Sequence, residues 1–450
     1  MSVSGSRSGN DTDEYKSLVH RALRANQGEL RPLLLSAAYF FVLLFGYFML
    51  RPVREAMGVQ RSMGDLRWLF GATCVVSLLI TLVFGQLVSK VDRRRFIPVV
   101  HRCIIACLLV FVLVLSLAPD VLGLATGYVF YVWISVVNLF VVSVFWAFMA
   151  DVWTLSQGKR LFAAIGVGGT LGALAGSSVP WWLADRMPSW GLMLLAGVCF
   201  EVCVRFVVWL GPGGSSQEAK APDSIGGNAW AGLGHVLSSP YLAGIGGYIG
   251  LMATSSTLIY FAKASFVFDE TDTLSARIAA FGQLDAAAQA LTLLVQLFIT
   301  SRIINRLGVG GTLIILPAVT LLGFAALAVA PVWGVLVLFQ ALHRAARYSI
   351  ARPSRETLFT VVPDEDKYKA KPVLDVFVYR GGDVVGVLLS AAPLAVAGVG
   401  VFALIVTPVS AAWAALAAWL GRSQSRLGNT SETPADDSTA SNQAVPGSLI

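Results

Sequence analysis

Charge is what this 450-residue chain lacks most: Asp, Glu, Lys and Arg together make up 13% of it. A soluble domain carries roughly 25%, so an ordinary water-soluble globule is excluded. Histidine numbers four and cysteine five. Cys74, Cys103, Cys107, Cys199 and Cys203 all fall inside apolar stretches, and the pairs Cys103/Cys107 and Cys199/Cys203 each stand one helical turn apart. They are read as small, buried, reduced side chains rather than metal ligands or a disulfide framework. His20 and His235 carry no signal, while His101 and His343 sit beside arginines and are read as making local hydrogen bonds. HExxH, GxSxG and metal-type Cys/His spacings are absent. The sequence therefore points away from an enzyme and implies no cofactor. The opening 31 residues are polar and lack the apolar core of a secretory signal; Asp11, Asp13 and Glu14 also exclude an acid-free transit peptide.

What the chain has instead is apolar length. Hydrophobic residues make up 56%, and mean hydropathy is +0.72. Runs of about 20 apolar residues, enough to cross a bilayer, recur nearly throughout. About twelve spans are expected: 33–50, 66–88, 97–117, 121–149, 161–183, 190–210, 241–262, 274–300, 312–330, 332–350, 373–396 and 401–420. The predicted fold is an all-α membrane protein of two six-helix halves. Its expected parts are an N-terminal segment (1–32), a first bundle (33–210), a Gly/Ser/Pro-rich linker (211–240), a second bundle (241–421) and a disordered tail (422–450). The net charge of +7 lies in short clusters between spans ("SKVDRRR", "GKR", "SRIINR"), which speaks for membrane topology and against nucleic-acid binding. The positive-inside rule then places both termini in the cytoplasm, for which a bacterial inner membrane is the expected setting. Arg51, Arg54, Arg61 and Arg67 break that pattern by falling on the outer side.

An ionised side chain at the bilayer centre costs about 2.5–3.5 kcal/mol even on lenient insertion scales, so charges within spans face partners, water or ligand. Gln340, His343, Arg344 and Arg347 form one helical stripe; Asp375, Tyr379 and Asp383, with Arg380 beside them, form a second; Asp285, Gln289, Thr292 and Gln296 form a third. They read equally as walls of a wet cavity or as Arg344 and Arg347 locking onto Asp375 and Asp383. Glu201 and Arg205 read as a self-satisfied pair. Gly168, Gly172 and Gly176 in "GVGGTLGALAG", echoed by Gly246/Gly250 and Gly382/Gly386, suit close helix packing. A phosphate loop would need a Gly-Lys-Ser/Thr ending and a preceding strand.

The halves echo each other: Phe70–Gly71 precedes Arg95 at the spacing at which Phe281–Gly282 precedes Arg306. Twofold repeats of six helices are the architecture of major-facilitator transporters, and "GQLVSKVDRRRF" (85–96) resembles that superfamily's loop between helices two and three. "YSIARPSRETLFTVVPDEDKYKAKPVLDVFVYRGGD" (348–383) resembles a signature of the nucleotide transporter family, the ATP/ADP translocases of plastids and intracellular bacteria. Tyr348, Ser349, Pro353, Arg355, Glu356, Lys367, Lys369, Lys371, Asp375, Arg380 and Gly382 fall in step with it. "YFMLRPVREA" (47–56) and "FWAFMADVWTLSQGKRLF" (145–162) are similar to two further segments of that family. Arg54 stands for the family's lysine, Ala150–Asp151 for its Asn-Glu and Asp383 for a lysine.

The resemblance implies a secondary transporter, with antiport as its expected mode, of a nucleotide-like small anion, embedded in the lipid bilayer. The expected substrate-binding residues are Arg51, Arg54, Asp151, Arg344, Arg347, Arg355, Glu356 and Arg380. Arg51 and Arg54 are expected at a cavity mouth, with Arg355 and Arg380 facing them; Asp364 to Lys371 is expected to be a solvated loop. Asp285, Asp375 and Asp383 are the candidates for ion or proton coupling. Proton-coupled movement of a different solute, and a scaffold that moves nothing, are the alternatives. Solute and oligomeric state are left open.

Overall fold

A computed structural model describes residues 26, 28–88, 93–211, 234, 236, 239–363, 370–371 and 373–432. The linker beyond Gly211, the acidic-basic stretch 364–369, the N-terminal 25 residues and the last 18 lie outside these described residues. Every element among them is helical: α1 (Leu30–Gly58), α2 (Met63–Val88), α3 (Arg93–Leu117), α4 (Pro119–Val152), α5 (Leu155–Leu183), α6 (Ser189–Trp209), α7 (Pro240–Glu270), α8 (Leu274–Phe298), α9 (Thr300–Val329), α10 (Trp333–Ala345), the short α11 (Arg352–Thr357) and α12 (Tyr379–Glu432). π-helical turns follow α10 (Ala346–Ala351) and precede α12 (Val373–Val378).

Nine of these helices, α1 to α9, are long and apolar enough to cross a membrane among the described residues. α10 with its π turn makes a tenth span. α12 supplies two more. Its early part packs along α7 in the same direction, with Gly382 at Gly250 and Gly386 at Thr257; its late part packs back, with Trp413 at Tyr248 and Trp419 at Gly244. A straight helix would separate Gly386 from Trp413 by about 40 Å at 1.5 Å per residue, so the chain reverses between them. The protein is an all-α, multi-pass membrane protein with the expected set of spans. Two boundaries differ from expectation. α1 runs eight residues past position 50, because its terminal charges are paired inside the protein. The tail expected to be disordered from residue 422 continues as helix to Glu432.

Glycine sets the closest approaches. A Cβ on Gly168, Gly172 or Gly176 of α5 would stand 2.6, 2.1 and 2.3 Å from the carbonyl oxygens of Ala37, Phe41 and Phe45 of α1. That run is a packing face, as its spacing suggests. α7 and α12 repeat the device, where a Cβ on Gly382 would meet the Gly250 carbonyl at 2.5 Å. At its start α1 is tied to α5 by Glu29, whose carboxylate accepts from Gln157 Nε2 and Arg160 Nη2 at 2.9 Å each. Thr154 and Gln157 form a capping box at the head of α5.

The cysteines are only partly as expected. Cys74, Cys199 and Cys203 are buried, but Cys103 is exposed, on a helix whose outer face presents apolar side chains such as Val99, Leu109 and Leu113. His101 makes the expected local contact, to the Ile97 carbonyl at 3.0 Å. Arg205 pairs with Glu201 at 3.2 Å, and Arg102 joins them at 3.7 Å.

Candidate functional site

Two charged centres occupy the interior. The first is a cavity of about 580 Å³ between α2, α7, the two π turns, α11 and the start of α12. Ser77 and Leu78 of α2 form one wall; the rest comes from the second half. Its cations are Arg347, Arg352, Arg355, Lys371 and Arg380, against two lining carboxylates, Glu356 and Asp375. Arg355 Nη2 contacts both Asp375 (3.1 Å) and Glu356 (3.2 Å), and Lys371 Nζ reaches Glu356 at 2.5 Å. Burial by itself would raise the Glu356 carboxyl, but Lys371 and Arg355 hold it below the ordinary carboxylate range. Arg380 pairs with Asp383 at 3.1 Å, and the Thr257 hydroxyl donates to the other oxygen of Asp383 at 2.9 Å. Arg347 donates to the Ser256 hydroxyl (2.8 Å) and to the Tyr379 hydroxyl, and lies over the Tyr348 ring at 5.4 Å. Arg347 and Arg352 have no carboxylate partner among the described residues. Cation thus exceeds anion on the cavity wall.

Both π turns belong to this wall. Arg347 and Tyr348 lie in the first, Asp375 and Val376 in the second. A π turn widens the helix and rotates the residues beyond it, and such turns are frequent at functional sites.

The second centre is buried where α1 meets α7, α8 and α10. Asp285 is fully buried and sits between Arg344 Nη1 (2.7 Å) of its own half and Arg51 Nη1 (3.3 Å) of the other. Glu55, 1% exposed, takes Arg54 at 2.8 Å and Arg51 at 3.8 Å. Arg54 also donates to Ser135 (3.0 Å) and stacks over Tyr131 at 4.7 Å. Lys263 is 3% exposed and lies over the rings of Tyr260 and Phe281.

These positions correct several expectations. Arg51 and Arg54 are not at a cavity mouth facing Arg355 and Arg380; they are half-buried in a separate centre, held by Glu55 and Asp285. The lock of Arg344 and Arg347 onto Asp375 and Asp383 does not form either. Winding changes from α to π at Ala346, between the two arginines, so Arg344 turns to α8 and Arg347 to α7 and α12. Lys371, expected on a solvated loop, is part of the cavity. Asp151 lies in the last turn of α4, on neither wall, beside Trp153, whose indole N–H donates to Ser36 at 3.3 Å. Sequence reading missed Glu55 and Lys263. Each lies past the expected end of its span, at 50 and 262, and is interior because the helix runs on to Gly58 or Glu270.

On the far side of the second centre the halves are sealed. Arg277 of α8 donates to the carbonyls of Val59 and Gln60 at the end of α1, both at 3.0 Å. The hydroxyls of Tyr131 and Tyr260 meet at 2.7 Å, and Arg67 reaches the Ser390 carbonyl at 3.4 Å.

No family model matches the chain, and no curated protein matches it by sequence. Solved structures do match. A mutant of the nucleoside transporter NupG aligns with a TM-score of 0.60 at 14% identity, over 88% of this chain and 99% of that one. The human organic anion transporter MFSD10 (TETRAN) aligns with a TM-score of 0.60 at 13% identity, over 87% and 100%. A bacterial homolog of the human lysosomal transporter Spinster, inward-facing and unoccupied, aligns with a TM-score of 0.53 at 15% identity, over 89% and 94%. The fold is that of the major-facilitator type.

Proposed function

We propose that this protein is a secondary transporter that moves an organic phosphate of nucleotide size across a membrane by alternating access. The carrying observation is the cavity of about 580 Å³ with five cations on its wall and two carboxylates. That volume lies within the roughly 300–1,000 Å³ range of small-molecule sites. Guanidinium groups bind phosphate oxygens in paired hydrogen bonds, and the Tyr348 ring beside Arg347 offers an apolar face to the rest of such a solute. The structural relatives move nucleosides and organic anions, which favours a small organic cargo. The seal at Arg277, Tyr131 and Arg67, with the cavity on the other side of it, suits one end state of a rocking cycle. The basic loops on the cavity's side favour an inward-facing state, with both termini in the cytoplasm. The candidates carried by this reading are Arg347, Arg355, Glu356 and Arg380 as solute contacts, with Arg51, Arg54, Arg344 and Asp285 joining the halves.

Counter-exchange in proteoliposomes tests it. Preloaded ATP, ADP or a related nucleotide should drive uptake of its labelled counterpart, and Arg355→Gln should weaken half-saturation about tenfold, the loss of one charge-assisted contact. Absence of exchange with every nucleotide and sugar phosphate tried would defeat the proposal.

Asp383 favours a second reading, proton-coupled transport. It is 4% exposed and set between one cation and one hydroxyl. Uptake that ignores a pH gradient and survives Asp383→Asn would remove that reading.

A further inference from the structure

The second centre does not balance its charge. Arg51, Arg54, Lys263 and Arg344 bring four cations, and Glu55 and Asp285 bring two carboxylates. Glu55 is matched to Arg54 at 2.8 Å. Asp285 is shared by Arg344 and Arg51 at 2.7 and 3.3 Å. One guanidinium charge and the Lys263 ammonium are left without a counter-charge. Lys263 forms no hydrogen bond or ion pair among the described residues, and only the Tyr260 and Phe281 rings lie against it, each centroid 5.4 Å away.

An uncompensated charge in a low-dielectric interior costs several kcal/mol. Ring faces recover only part of that. Arg51 and Arg344 meet at Asp285, and Lys263 approaches the neighbouring turn of α8. Arg51 and Arg344 lie over the same Phe48 ring, at 5.6 and 5.7 Å, and Lys263 lies over Phe281, one turn before Asp285 on α8. The arginine side chains keep 20% and 13% of their accessible surface, so the cluster is not closed to a small ion. Tyr348 lines the cavity and follows Arg344 by one helical turn, which sets the cavity beside this centre.

We propose that Lys263, Arg51 and Arg344 form a binding site for a small inorganic anion, distinct from the organic-solute cavity and bridging the two halves. The ion supplies the negative charge that the protein omits. A site made of groups from both halves is intact only while α1 stays against α8 and α10, so the bound anion favours the sealed arrangement. The charge imbalance persists whether or not the cavity carries a phosphate.

The test uses purified full-length protein at constant ionic strength, exchanging bulky gluconate for chloride or for sulfate. Wild type should gain about 2–5 °C in Tm, saturably, as a ligand bound only by the folded state demands. Arg355→Gln, which weakens the cavity, should keep that gain, and Lys263→Met should lose it. A wild type indifferent to both anions, or a gain that survives in Lys263→Met, overturns the proposal. So does a gain lost in Arg355→Gln, which puts the ion in the cavity. If Lys263→Met does not fold, bromide diffused into wild-type crystals decides: an anomalous peak beside Lys263 Nζ supports the site, and a featureless centre rejects it.

Discussion

Glu29 shows how a single residue is tuned by its surroundings. It stands just before α1, outside the spans. Burial would raise its carboxyl, but the Asn26 N–H, the Gln157 amide and the Arg160 guanidinium outweigh that and hold it below the ordinary range. A depressed carboxyl contributes stability that is in full force above its unfolded value, near 4.3, and lost as pH falls through the lower folded value. Glu29→Gln should therefore cost about 1 kcal/mol at neutral pH, a difference that shrinks below pH 4. Thermal unfolding in detergent across that pH range checks it. Charges inside the spans follow a harsher rule, because water is not there to replace a lost partner. Membership of the interior was legible for Arg344, Arg347, Arg380, Asp285, Asp375 and Asp383, since each interrupts an apolar run. Partnership was not: Arg344 chose Asp285 on α8, a residue 59 positions away, and no spacing along α10 or α12 indicates that choice.

Helix elements are set by what lies between them. α1 and α5 touch backbone to backbone because three glycines, four residues apart, offer no side chain. Gly172→Ala should clash with the Phe41 carbonyl and destabilise the protein by about 2–3 kcal/mol. Gly166→Ala, with nothing within 4 Å of its Cβ position, should be tolerated or mildly stabilising, since alanine favours helix. Comparing the two melting temperatures separates close packing from helix propensity. This role was readable from the spacing. The repeat at Phe70–Gly71 and Phe281–Gly282 reads differently in space: a Cβ on Gly282 would crowd Trp181 N at 2.8 Å, whereas Gly71 faces open space. The two π turns were hidden as well. Neither ARYSIA nor VLDVFV contains a glycine or proline that would mark a change of winding.

For the whole molecule, the transport cycle proposed above makes the seal the element that governs which face is open. Arg277 is 8% exposed and caps the carbonyl end of α1 from the opposite half. Arg277→Gln should remove two charge-assisted hydrogen bonds, about 3 kcal/mol, and raise the open fraction at that face roughly a hundredfold. On a cysteine-free background, Val59→Cys is buried in this structure; adding Arg277→Gln should speed its labelling by a membrane-impermeant thiol reagent to that extent. An unchanged rate would mean the seal is held elsewhere, at Tyr131–Tyr260 or Arg67–Ser390.

Sequence by itself determined the solvent of this protein, its many membrane-length helices, the glycine faces that let helices meet, and the interior place of the charges that interrupt apolar runs. These follow from local properties: apolar length matches bilayer thickness, and a buried charge betrays itself by its neighbours in the chain. The tertiary structure alone decided that those charges divide into two centres, that Lys371 belongs to one of them, and that Glu55 and Lys263 belong to the other. Electrostatic pairing acts through space at a few ångströms, between helices whose order in the chain says little about which faces will meet.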